Sequence, residues 1–284
     1  MVRGRSRWLC GAATALLLAA GSQYAAAAED TRHEATTSRR CRNEAAGAIP
    51  FDRVFPAYRA RVRKVVERPS LYRRLPTEAV ECHPDLFTFL STNPDALVAV
   101  WRQLGITQVR LDRTGDGVFR FEDGYGTSGV LRIVEQQCKP GAQNRIVLFA
   151  DASYSGRPFR KPLTAEGVFL FRSGSITETD SKTYVAARLD SFIRLNNASV
   201  QLLAKAAHPL LGKMADKNFV DSVHFIGQMS QAAQVRYANL NSLAAELPGV
   251  SVGQRRELQR LLLASRDAEL ARSRLGQSAT ATRR

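Results

Sequence analysis

The 284-residue chain sets 41 Lys and Arg against 26 Asp and Glu, for a formal net charge of +15, and 44% of its residues are hydrophobic. Beyond the N-terminus no stretch is long and apolar enough to span a bilayer as a helix, and the mature chain is expected to be soluble. The charge suits anionic lipid, polymer or nucleic acid, but the basic residues are spread along the chain without a dense block, as general solubility alone would give, and no nucleic-acid recognition motif is present.

Residues 1–28 read as a cleavable secretory signal peptide. Arg3, Arg5 and Arg7 form a basic start, an apolar run follows from Trp8 to Ala20, and Ala25–Ala28 supply a small-residue cleavage site. The expected location is therefore periplasmic or secreted, and the Ala-rich cleavage region points to bacterial export. An oxidising compartment permits one disulfide among Cys41, Cys82 and Cys138, with the pairing open.

Residues 29–50 are polar and without period, as in a flexible leader. A basic helical segment is expected over 51–71, with Tyr58, Val62, Val65 and Val66 on one face and Pro69 as its stop. Residues 76–82 suit a short strand. Pro84-Asp85 opens a helix carrying Leu86, Phe87, Phe89 and Leu90. Asp95 is placed as N-cap of a second helix, which Gly105 closes.

Six segments then alternate apolar and polar positions and are rich in Val, Ile, Phe and Tyr: 106–113, 117–123, 128–136, 144–154, 165–179 and 182–195. Short Gly- and Asp-rich turns separate them, which requires antiparallel neighbours. From Asn196 the apolar period becomes 3.6, and one long helix is predicted to about residue 232, kinked at Pro209 and Gly212. A C-terminal helical extension over 233–275 is broken at Pro248-Gly249 and capped again at Ser251, and 276–284 reads as a disordered tail. The fold class is α+β: a curved antiparallel sheet of about six to seven strands gripping a long C-terminal helix, with extra helices at both ends.

This order of elements, carried by EAVEC, HPDLFTFLSTNPDALVAVWRQLG, the strand block and FIRLNNASVQLLAKAAHPLLGKMADKNFVDSVHFIGQM, resembles the START and polyketide-cyclase-like helix-grip superfamily over residues 72–232. The resemblance is one of topology, and its implied consequence is a deep apolar cavity between sheet and long helix. Under it, Trp101, Phe121, Phe169, Tyr184, Arg188 and Asp190 become ligand-pocket candidates.

Chemistry-bearing motifs are absent. His33, His83, His208 and His224 show no metal-ligand spacing, no serine sits in a nucleophile motif, and Gly124-Tyr125-Gly126 is not a phosphate loop. No catalytic residue, metal or cofactor is assigned. The expected function is an exported, non-catalytic protein that binds a hydrophobic small molecule or lipid. One alternative is a cell-envelope protein using basic helices 51–68 and 252–275 on anionic membrane or polymer. The other is a cyclase- or hydrolase-like enzyme using Arg188, Asp190 and Asp151 inside the cavity.

Overall fold

The computed structural model describes residues 34–139, 143–156, 162–179, 182–196 and 198–281, and the side chains of all these except 198–211 and 272–281. Residues 1–28, expected to be a signal peptide, lie outside them.

Eight antiparallel strands form one open sheet. They are β1 (Leu71–Arg74), β2 (Glu78–Glu81), β3 (Arg110–Gly115), β4 (Val118–Glu122), β5 (Thr127–Gln137), β6 (Asn144–Tyr154), β7 (Leu163–Thr177) and β8 (Thr183–Leu195). Their order is β1-β8-β7-β6-β5-β4-β3, and β2 continues alongside β8 beyond β1. Five of the intervening turns or loops are short, as an antiparallel meander requires. Gly117, at φ 61°, makes the β3–β4 turn of the TGDG stretch, where the left-handed conformation favours glycine.

Helices cover both faces of the sheet. On the outer face lie α1 (Arg39–Gly47) and α2 (Pro56–Glu67), which bury Ala45, Val62, Val65 and Val66 against Val147, Phe149, Val168, Leu170 and Phe192. On the inner face lie α3 (Pro84–Thr92), α4 (Pro94–Gln103), α5 (Ala198–Ala245) and α6 (Val252–Ala281). The main core forms here, around Leu86, Phe87, Leu90, Trp101, Phe119, Leu131 and Phe169 from α3, α4 and the sheet and Phe219, Val223, Leu258 and Leu262 from α5 and α6. Coverage on both sides explains why Ile146–Ala150 is buried without a break: its odd and even positions enter different cores.

Ion pairs fasten the layers. Arg113 forks onto Asp95 at 2.8 and 2.9 Å, and Gln254 of α6 donates to the same carboxylate at 3.0 Å, joining α4, β3 and α6. Arg73 of β1 pairs with Asp216 of α5, and His224 of α5 lies 3.0 Å from the buried Glu78 of β2.

Several expectations need correction. The sheet is of the expected class with one strand added, the four-residue β1, too short and polar a run to stand out in the sequence. Part of the leader is helix α1, capped by Ser38 through a bond from the Cys41 amide. Asn93 is the N-cap of α4, since Pro94 fits the first helical position and Asp95 is drawn to Arg113. The long helix runs on through Pro209 and Gly212 and departs from helical geometry at Arg236 instead. Helix α6 continues to Ala281, through most of the tail expected to be disordered. Ser251 caps α6 as expected: it accepts from the Gln254 amide at 3.2 Å, and the Gln254 side chain accepts in return from the Ser251 amide.

Candidate functional site

The inner face of β5–β8 is floored by small residues at one end. Strand register places Gly129, Ala152, Ala165 and Leu195 in one row across the sheet, and Leu131, Ala150, Gly167 and Ile193 in the next. Phe121 and Phe169 exist in their positions because two of these residues are glycine. A Cβ on Gly129 would lie 2.6 Å from the Phe121 ring and 2.1 Å from the Asp151 carbonyl oxygen; one on Gly167 would lie 2.9 Å from the Phe169 ring. The two rings therefore lie over bare backbone.

This strip interrupts the inner core. Ala150 belongs to the main cluster, whereas Ile193, Leu195 and Ala165 form a separate small one with Leu71 and Leu163. Gly167 stands between Ala150 and Ile193. Gly129 and Ala152 remain partly exposed, so the strip opens to solvent at the end of the sheet where β8 leads into α5.

The six sequence-derived pocket candidates do not converge. Phe121 and Phe169 border the strip. Trp101 is buried edge-on against Phe225, 5.9 Å between ring centres, and fastens α4 to α5. Tyr184, Arg188 and Asp190 share the other face of β8, the face that also carries Phe192 of the outer core. They cannot line a space under the long helix, and that assignment is corrected. The small residues themselves were missed, although the i, i+2 pairs in FADASY and TAEGVF carry the signal.

On the outer face Asp190 is fully buried. It accepts from the Tyr72 hydroxyl at 2.7 Å, Arg74 Nε at 2.7 Å and Arg172 at 3.0 Å. Burial and the bond to Asp190 push the Tyr72 phenol well above its ordinary range. Glu44 of α1 accepts from Arg74 at 2.8 Å and Arg188 at 3.3 Å, and the Arg74 bond is the main reason its carboxyl is held below the usual range. Asp151 pairs with Arg61, which also bonds Glu166 at 2.7 Å. Asp151, Arg188 and Asp190 thus lie on the outer face in ion pairs, and not beneath the long helix where the enzyme alternative places them.

Cys41, Cys82 and Cys138 are free thiols. Cys41 packs on the outer core and the other two on the inner, with the sheet between them. Burial pushes the Cys82 thiol up to about 12. A further concavity of about 640 Å³ lies between the end of α4 and the edge strand β3, lined by polar groups such as Arg102, Gln103, Arg110 and Glu122. Much of the charge of the basic helices is engaged locally: Arg59 bonds the Asp52 carbonyl, Arg63 lies over Phe51, and Arg260 and Arg266 of α6 pair with Glu257 and Asp267. No helix among the described residues is long and apolar enough to cross a membrane.

No family model matches the chain, and no curated protein matches it. Among solved structures it is similar to a conserved protein from Geobacillus kaustophilus, at 12% identity over 52% of this chain and 92% of that one, with a TM-score of 0.30. So slight a likeness assigns neither a superfamily nor a function.

Proposed function

We propose that the chain is an exported, non-catalytic binding protein that holds an elongated apolar molecule, such as a lipid, on the inner face of the sheet beside α5, in the manner of helix-grip proteins. One observation carries the reading: the strip of Gly129, Ala150, Ala152, Ala165 and Gly167 that divides two apolar clusters and is partly open at one end. Such a strip of small residues offers apolar contact, and Gly129 and Ala152 are the part of it that solvent reaches. About ten buried methylenes, at ~0.8 kcal/mol each, match the ~8 kcal/mol of micromolar affinity before the cost of association. The export half of the proposal rests on the pattern of residues 1–28.

Titration with an apolar fluorescent probe tests the binding. Ala152 is partly exposed, so Ala152→Trp can fill the strip while keeping the fold, which circular dichroism checks. The wild type is expected to bind the probe, and A152W to bind it at least about tenfold more weakly, a loss of ~1.4 kcal/mol. Equal binding by both proteins contradicts this placement of the site.

A further inference from the structure

The outer face carries a second constellation that the apolar strip does not use. Arg145, Arg172 and Arg188 stand opposite one another on three adjacent strands, Arg145 paired in register with Arg172 and Arg172 with Arg188. Like charges directly opposite repel, and such an arrangement is kept only against compensation. Arg145 has its own partner, the buried Glu135, at 2.9 and 3.1 Å. Arg74 joins the other two from β1, where it lies opposite Asp190.

Two carboxylates serve these three arginines. Asp190, at the base, takes Arg74, Arg172 and the Tyr72 hydroxyl. Glu44 sits above it and reaches all three guanidinium groups: Arg74 at 2.8 Å, Arg188 at 3.3 Å and Arg172 at 3.5 Å. The two acids differ in kind. Asp190 is sealed in the sheet with no exposed surface, whereas the Glu44 side chain is 48% exposed and belongs to a nine-residue helix laid on the outside. Arg172 Nε is buried with no hydrogen-bond partner, so the donors exceed what the two acids satisfy. Arg188 is held below the ordinary arginine range by burial and by Arg172 and Arg74, which marks the cationic crowding.

We propose that Arg74, Arg172 and Arg188 form a binding site for a phosphate-class oxyanion, and that Glu44 of α1 occupies it as an internal stand-in that the ligand displaces. Guanidinium forks receive a phosphate as they receive a carboxylate, through paired N–H donors, and a tetrahedral dianion presents more acceptors than Glu44 does. Exposure of Glu44 gives the ligand its entry, and the buried Asp190 keeps the arginines oriented once Glu44 has left.

Glu44→Gln is the direct test, with inorganic phosphate as probe at fixed ionic strength in calorimetry. E44Q is expected to bind phosphate at least about tenfold more tightly than the wild type, equivalent to ~1.4 kcal/mol, and the double variant E44Q/R188M to lose that gain. Vesicles containing phosphatidic acid form a second arm. Capture of vesicles without free phosphate binding supports the same site with a lipid headgroup as its ligand. Failure of E44Q to bind either probe, or full binding by E44Q/R188M, overturns the proposal. Should E44Q misfold, amide exchange in the wild type decides: phosphate must speed exchange over residues 39–47 where sodium chloride of equal ionic strength does not, and unchanged exchange overturns it.

Discussion

His83 joins local sequence to tertiary contact within a single residue. Its ring Nδ1 accepts from the Asp85 amide at 3.3 Å and so caps α3, while its own backbone amide donates to Ser230 of α5 at 3.0 Å. Burial lowers the pKa of the ring, which keeps Nδ1 free of a proton and able to accept. The folded pKa lies below the unfolded value of about 6.5, so the cap contributes fully above that pH and is lost as pH falls through the folded pKa. His83→Ala should therefore cost about 1 kcal/mol in urea unfolding at pH 8, and the gap between the two proteins should narrow at pH 5. An equal gap at both pH values contradicts the cap. Legibility at this scale is mixed. Pro84 marked His83 as a helix start, because proline restricts the residue before it. The face to which Arg188 and Asp190 belong was not legible: alternation shows that two residues share a face, but a sheet covered on both sides offers two buried faces.

Among elements, the contact of α5 with β2 and β8 sets where the long helix lies. Gly227 is the point of closest approach, since a Cβ there would come within 2.9 Å of Val80 Cβ. The neighbouring His224–Glu78 pair and the Arg73–Asp216 pair hold the same helix to the β1–β2 edge. Gly227→Val should force helix and strand apart and cost about 1–3 kcal/mol, measured by denaturant unfolding. A cost near zero contradicts the close packing. The strands were legible from their period-2 pattern and the glycines between them, and α5 and α6 from the 3.6 period. Helix α1 was not, because it buries only Ala45 and depends for its place on Arg74 and Arg188, far away in sequence. The break expected at Pro209 does not occur, since the helical backbone of α5 runs on through it.

At the scale of the whole molecule, one sheet serves two helical layers with different chemistry. The inner layer is apolar and interrupted by a strip of small residues; the outer joins an apolar patch to a crowded set of ion pairs. The fold class could be read from the order of elements, since a run of antiparallel strands followed by a long helix has few ways to bury its apolar surface. The outer layer could not, and without it Tyr184, Arg188 and Asp190 become pocket candidates through the resemblance alone. Gly129 matters through the Phe121 ring that lies over it from the neighbouring strand, a relation that strand register reveals. Native mass spectrometry of the full chain after gentle purification tests the central claim, that the strip holds an apolar molecule. The account predicts a species heavier than the polypeptide that reverts to its mass after organic extraction, and a ligand-free spectrum for A152W. A wild-type protein that carries no extra mass, and gains none when incubated with a lipid mixture, contradicts it.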